Sequence, residues 1–128
     1  MKETILLFQF DKARQQKLLR CLLPLKIRVK SVEACDFGKP IGYLAGIREL
    51  ENAGPETGGE QEEQALSDEM LVMAGLTSPQ IDQVLTAIRR SGIGFIPYKA
   101  VLTATNQSWD AFALLAELKR EHEAMKRQ

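Results

Sequence analysis

Two runs dominated by apolar residues mark the predicted centre of the fold. They are Thr4–Phe10 and Met70–Ala74. A strand that is apolar on both faces is typical of the middle of a sheet with helices on both sides. In the first run, alternation predicts one face made of Leu6, Phe8 and Phe10 and another made of Ile5 and Leu7.

An amphipathic helix follows each run. Asp11 precedes the first helix and Thr77 or Ser78 the second, and these residue types are favoured N-caps. Pro24 and Gly92 fit the two helix ends. The apolar stripes predicted to face the sheet are Leu18, Leu19, Leu22 and Leu23 in the first helix, and Ile81, Val84, Leu85 and Ile88 in the second.

Each helix leads into a segment with the pattern of an edge strand. In Lys26–Val32 the residues Lys26, Arg28 and Lys30 alternate with apolar ones. This basic face fits an edge strand protected by lysines, the reading we favour, or a stripe that binds phosphate or an acidic partner. Ile93–Ile96 is strand-like, and Pro97 after it indicates an edge or a bend, with Lys99–Leu102 as a possible extension.

The matched order of elements predicts an internal repeat. Asp11–Ala34 aligns with Thr77–Ala100, although few residues are identical. We therefore predict an α/β fold in which two pseudo-twofold-related βαβ(α) repeats share one four-stranded mixed sheet of order 2-1-3-4, with helices packed on it. The expected organisation is a degenerate first repeat (1–50), an acidic flexible linker (51–68) and a second repeat with a long C-terminal helix (69–128).

Charge and hydropathy restrict the classes of function. The net charge is +0, but residues 1–50 are basic and residues 51–69 carry acids and no base. This balance argues against nucleic acid as a partner. No apolar run is long enough to cross a bilayer, and the N-terminus lacks the features of a secretory signal, so we expect a cytoplasmic protein without a membrane partner.

No group of residues predicts catalysis, a metal or a cofactor. Cys21 and Cys35 have neither disulfide-framework nor metal-ligand spacing, and nothing near Cys35 would activate its thiol. His122, the only histidine, lies in a charged helical stretch. The carboxylates of Asp36, Asp82 and Asp110 are isolated along the chain. We expect a non-enzymatic protein.

One loop is the best candidate for a binding site. Thr103–Ser108 follows the end of a predicted strand and precedes a helix that Ser108 can cap. Trp109 is expected to be a structural anchor. Ordinary capping and turn chemistry explains the loop at least as well as binding does. If a ligand binds, Asp110 favours a neutral polar group over a triphosphate; the predicted ligand-binding residues are Thr103, Thr105, Asn106 and Ser108, with the backbone N–H groups of Trp109 and Asp110.

The second half also resembles a known family. Its segments MLVMAGL, SPQIDQVLTAIRRSGI and KAVLTATNQSWDAFALLAELKREHE, over about residues 69–123, resemble an uncharacterised bacterial family of small cytoplasmic proteins, known only as a domain of unknown function. In the first half CDFGKPIGY stands in place of the signature, so a site in that half would be lost. The signature positions are Lys99, Ala100, Thr103, Asn106, Trp109, Leu115 and Glu121.

These observations leave two hypotheses. The first is a regulatory or protein-interaction module that acts through an unknown protein partner or through self-association. The second is a binding module for a small polar or anionic ligand at the Thr103–Ser108 loop and the following helix N-terminus.

Overall fold

The computed structural model describes residues 3–50, 66 and 68–126. The predicted acidic linker, residues 51–68, lies outside the described residues except for Leu66 and Asp68. The strands are β1 (Thr4–Phe8), β2 (Arg28–Val32), β3 (Met70–Ala74) and β4 (Tyr98–Val101), and the α-helices are α1 (Lys12–Leu22), α2 (Ile41–Leu44), α3 (Ser78–Arg90) and α4 (Ala111–Lys126).

The four strands form one mixed sheet in the order β2-β1-β3-β4. β1 pairs with β2 in parallel, and β3 pairs with β4 in parallel. The two central strands are antiparallel, with Leu6 opposite Val72 at the middle of the pairing. The predicted strand order and the parallel pairing within each half are therefore confirmed.

Helices cover both faces of the sheet and bury its central strands completely. All five residues of β1 and all five of β3 are buried. Alternate residues enter two separate cores. One core lies under α1 and α3 and includes Ile5, Leu7, Leu18, Leu22, Leu71, Val84 and Ile88; the other lies under α2 and α4 and includes Leu6, Phe8, Phe37, Ile41, Met70, Val72, Leu114 and Leu115.

The first strand ends earlier than its apolar pattern predicts. Gln9 has a φ of 68°, in the left-handed region, and this breaks the alternation. Phe10 consequently packs in the core under α1 and α3, with Ile5 and Leu7. The prediction that Phe10 shares a face with Leu6 and Phe8 is wrong.

The long helices begin as predicted. The carboxylate of Asp11 accepts a hydrogen bond from the backbone N–H of Arg14 at 2.8 Å. Thr77 and Gln80 form a capping box at the start of α3, in which the side chain of each bonds to the backbone of the other. The two helices thus start at the residues that their sequences predict.

Helix α1 buries a narrower stripe than predicted. Leu18 and Leu22 are fully buried, but Leu19 is 47% exposed and Leu23 is 76% exposed. The α-helix ends at Leu22, and a short 3-10 helix, Leu23–Leu25, follows it. The expectation that all four leucines face the sheet is therefore wrong for two of them.

Strand β2 lies at an edge of the sheet, as the favoured interpretation of its basic residues requires. Arg28 and Lys30 are exposed, and the Lys30 ammonium donates to the backbone oxygen of Leu44 at 3.3 Å. Lys26 adopts a left-handed conformation before the strand begins. It is therefore not part of a continuous basic stripe on the strand.

The opposite edge strand lies later in the sequence than predicted. Strand β4 begins at Tyr98, after Pro97, and Ile93–Ile96 forms no strand. Gly92 and Gly94 have positive φ values that break an extended run there. Arg14 of α1 holds this segment, because its guanidinium donates to the backbone oxygens of Ile93 at 2.8 Å and Phe95 at 3.0 Å.

Candidate functional site

The polar loop after β4 is held by the side chain of Asn106, which is only 9% exposed. Its Oδ1 accepts from the backbone N–H of Thr103 at 2.9 Å, and its Nδ2 donates to the backbone oxygen of Val101 at 3.1 Å. The Thr103 hydroxyl accepts from the backbone N–H of Asn106 at 3.2 Å. Asn106 therefore uses its amide on the main chain of its own loop.

The start of α4 is also satisfied from within the chain. Asp110 is 6% exposed, and its Oδ1 accepts from the backbone N–H of Ala113 at 2.8 Å. Asp110 rather than Ser108 therefore caps the helix, which corrects the predicted cap. The backbone N–H of Trp109 donates to the oxygen of Asn106 at 3.0 Å. Of the two backbone N–H groups predicted to bind an anion, that of Trp109 is therefore engaged within the loop.

The same loop is hydrogen-bonded to the first half of the chain. The backbone N–H groups of Ile41 and Gly42 donate to the oxygens of Trp109 at 2.9 Å and Gln107 at 2.8 Å. In the other direction, the N–H of Ala111 donates to the oxygen of Phe37 at 3.0 Å. Each loop thus supplies backbone acceptors to the helix start of the other.

A groove of about 500 Å³ remains open between β4 and α4, and we refer to it as the α4–β4 groove. Thr103, Thr105 and Asn106 line it, so three of the four predicted ligand-binding residues lie together, while Ser108 is not part of the lining. Trp109 is half-buried; it packs against the core under α4 and also lines the groove. The remaining lining residues are Lys99, Ala100, Val101, Leu114, Glu117, Leu118 and Glu121.

The side of the groove formed by α4 carries two carboxylates. Glu117 and Glu121 are four residues apart and therefore lie one helical turn apart on one face. Glu117 forms an ion pair with Arg120, and the hydrogen bond from that guanidinium to Glu117 raises the pKa of Arg120. Because the Arg120 side chain is 76% exposed, water screens this pair, and another cation can replace Arg120 at low cost.

Among the described residues, Lys99 is the only basic one that lines the groove, and its ammonium group is engaged elsewhere. It donates to the backbone oxygen of Ile96 at 3.3 Å and lies 5.9 Å from the centre of the Phe95 ring. The groove therefore has an acidic character, which the loop sequence alone does not indicate. The helical spacing of Leu114, Glu117, Leu118 and Glu121 is the signal that would have indicated it.

The other reactive side chains stand apart from this groove. Cys21 is half-buried in a cleft between α1 and α3, and burial raises the pKa of its thiol. Cys35 is exposed on the first half. The exposed His122 ring lies 5.0 Å from that of Tyr98. Within residues 3–50, 66 and 68–126, no three His, Cys, Asp or Glu side chains are grouped as metal ligands.

The fold and groove define a mixed α/β protein with a candidate binding site at one edge of its sheet. Residues 69–125 match the model of a family described as "Domain of unknown function (DUF3783)". The match covers β3, α3, β4, the polar loop and nearly all of α4, and so contains every residue lining the α4–β4 groove. No curated protein and no solved structure matches the chain.

None of the helices in the described part of the chain is both long and apolar enough to span a bilayer.

Proposed function

We propose that this protein is a non-enzymatic interaction module whose α4–β4 groove binds a basic segment of a partner protein. The observation that carries the proposal is the pair of carboxylates, Glu117 and Glu121, in the same groove as Trp109. Carboxylates form charge-assisted hydrogen bonds with ammonium and guanidinium groups, and indole rings attract the same cations. A lysine or arginine side chain is the protein group that can form hydrogen bonds with the carboxylates and also interact with the indole ring.

The polar loop is better suited to binding a cation than an anion. The backbone N–H groups of Trp109 and Ala111 donate hydrogen bonds to protein oxygens, and the side-chain amide of Asn106 is hydrogen-bonded to the main chain. The hydroxyls of Thr103 and Thr105 can still accept hydrogen bonds from a bound ammonium or guanidinium. For this reason we prefer a basic protein segment to a small anionic ligand.

A titration with a defined peptide tests the proposal. The probe is the hexapeptide acetyl-Lys-Val-Lys-Val-Lys-Val-amide, and the reporter is the fluorescence of Trp109, the single tryptophan of the chain. We expect a saturable change in fluorescence that weakens as salt is raised, because exposed charges are screened. A peptide with Glu in place of each Lys should produce no such change.

Variants of α4 show whether the carboxylates are responsible. The double variant Glu117→Gln with Glu121→Gln should weaken binding by about three- to tenfold, as expected for two partly exposed ion pairs. Glu123→Gln is the matched control, because Glu123 lies on the same helix but does not line the groove. Equal affinity in all three proteins, or an equal loss in the control, would contradict the proposal.

We also propose that the chain arose by internal duplication, with one groove retained. The two N-caps, Asp11 and Thr77, precede helices whose buried residues correspond. The second half has four more residues between its N-cap and its edge strand, measured from Asp11 to Arg28 and from Thr77 to Tyr98. With this insertion allowed, the starts of α2 and α4 also correspond.

We further propose that the protein is located in the bacterial cytoplasm, on the basis of its sequence and of the family that its second half resembles.

A further inference from the structure

Strand β4 offers one side of its backbone to the outside of the sheet, because it is the last strand in the order. The backbone N–H of Leu102 donates to the oxygen of Met73 at 2.8 Å, toward the neighbouring strand. Backbone groups of successive residues in a strand point to opposite sides. Those of Lys99 and Val101 are therefore directed away from β3.

The loop after β4 already imitates part of a further strand. The amide of Asn106 meets the backbone oxygen of Val101 and the backbone N–H of Thr103. These are the two groups, two residues apart, that one residue of a neighbouring parallel strand would pair with. The position beside β4 thus accepts peptide-like pairing, and a side chain provides it at the end of the strand.

The side chains of a strand added beside β4 would lie next to a pocket on each face of the sheet. The α4–β4 groove lies on one face. On the other, a cavity of about 380 Å³ is lined by Leu85, Arg89, Phe95 and Lys99, among others. Phe95 is 78% exposed in it. The two pockets have opposite character, since one carries two carboxylates and the other an arginine, a lysine and an exposed aromatic ring.

We propose that the basic segment binds as an extended strand beside β4 and continues the sheet. This inference rests on the proposed function and specifies the conformation of the partner. Alternate residues of the segment are basic and enter the α4–β4 groove; the residues between them are apolar or acidic and contact Phe95, Leu85 and Arg89. Main-chain hydrogen bonds to both backbone groups of Lys99 and to the N–H of Val101, whose oxygen already accepts from Asn106, provide affinity, as in other cases of strand addition.

The occupant is a segment of a different protein rather than a second copy of this chain. Two copies of β4 placed side by side would bring Lys99 near its own counterpart, and like charges on paired strands oppose each other. Lysine and proline on an edge strand also act against self-pairing. Pro97 directly precedes β4. The opposite charges of the two pockets instead match a strand with alternating chemistry.

Backbone methylation of the probe peptide tests this inference directly. Two versions of acetyl-Lys-Val-Lys-Val-Lys-Val-amide carry N-methyl groups on either the three lysines or the three valines. In strand addition, the backbone N–H groups of either the lysines or the valines point toward β4 and donate to it, and the other set points away. Methylation of the donating set should weaken binding by about tenfold or more, because it removes the hydrogen bond to the Lys99 oxygen, while the other set stays within about threefold of the parent.

Amide hydrogen exchange in the complex gives an independent measurement. The amide hydrogens of Lys99 and Val101 should exchange at least about tenfold more slowly when the unmethylated peptide is bound, because they become paired. Ala100 and Leu102 are the internal controls, because their N–H groups point toward β3 and should change little.

The outcomes separate the two proposals. Peptide binding that depends on Glu117 and Glu121, without asymmetry between the methylated peptides or slowed exchange at Lys99 and Val101, would overturn strand addition and leave the proposed function intact. If the peptide does not bind, or if it binds equally well to the variant without Glu117 and Glu121, both proposals are overturned.

Discussion

At the scale of single residues, Asn106 shows how a polar side chain can serve the backbone. Its residue type and position in a polar loop are equally compatible with ligand binding. In the structure both ends of its amide are engaged, with Thr103 and Val101 as partners. A pattern of residue types cannot distinguish these roles, because the difference lies in which groups the folded loop brings within hydrogen-bond distance.

The variant Asn106→Asp tests this structural role. An oxygen would replace the Nδ2 donor opposite the Val101 oxygen, leaving a buried acceptor facing another acceptor, and we expect a loss of about 1–3 kcal/mol in unfolding free energy. Urea denaturation measures the change. Thr105→Ala, at an exposed position of the same loop, should stay within about 0.5 kcal/mol. An unchanged midpoint for Asn106→Asp would show that the amide is free for other partners.

The two cysteines should react at very different rates. Burial raises the pKa of Cys21, and a raised pKa lowers its thiolate fraction at any pH below that value. Cys35 is exposed. With iodoacetamide at about pH 8, mass spectrometry should therefore show that Cys35 is alkylated first. In Cys35→Ser the remaining modification should be slow until urea unfolds the chain; rapid labelling of Cys21 in the folded state would contradict the structure.

At the scale of elements, the central strands were predictable and the edges were less so. Thr4–Phe8 and Met70–Ala74 are buried on both faces, and their sequences are apolar at every position except Thr4. The edge strand β4 has mixed burial, and Ile93 and Ile96 are buried without being in a strand. Local alternation therefore pointed to the wrong segment.

The candidate site was predictable in part for the same reason. The loop residues Thr103, Thr105 and Asn106 could be identified because they interrupt the apolar pattern. The helical spacing of Glu117 and Glu121 places both on one face of α4, but it does not indicate which element that face meets. Their role depends on how α4 lies against β4, which is a tertiary property that no local pattern contains.

The contact between α2 and the polar loop makes Gly42 a test of element packing. Alanine normally favours a helix over glycine by about 1 kcal/mol. A β-carbon at Gly42, however, would lie 2.9 Å from the backbone oxygen of Gln107 and 2.5 Å from the side chain of Leu50. That oxygen also accepts from the Gly42 N–H at 2.8 Å, so it cannot withdraw without losing the bond.

We therefore expect Gly42→Ala to reduce the unfolding free energy by about 1–3 kcal/mol, as overpacking does. Thermal and urea denaturation provide the measurement. Ala116→Gly, at an exposed site in α4, calibrates helix propensity in this protein and should cost about 1 kcal/mol. Stabilisation by Gly42→Ala would mean that α2 and the polar loop are not in contact in solution.

At the scale of the whole molecule, one arginine connects the two halves. Arg14 in the first half donates to Ile93 and Phe95 in the second and forms an ion pair with Glu69 at 2.5 Å. The planar guanidinium serves all three partners at once, which a lysine ammonium cannot do in the same geometry.

Replacement Arg14→Lys should reduce the unfolding free energy by about 1–3 kcal/mol, because carbonyl oxygens lose their donors. The urea midpoint should fall while the slope stays constant, as expected if only stability changes. Lys17→Met, at an exposed position of the same helix, should have a small effect. A midpoint equal to that of the unchanged protein would show that the halves are held together without Arg14.

The antiparallel seam between β1 and β3 has a consequence for valency. Residues 69–126 expressed alone would leave one side of β3 bare, and two such fragments could rebuild the sheet by pairing β3 with itself about Val72. We expect that fragment to sediment as a dimer with two identical grooves, able to cross-link two partner molecules. The full chain fills the same seam with β1 of the first half, so each chain would contribute one α4–β4 groove and bind one partner molecule. Fusion of two halves would in this way have turned a cross-linker into a monovalent binder.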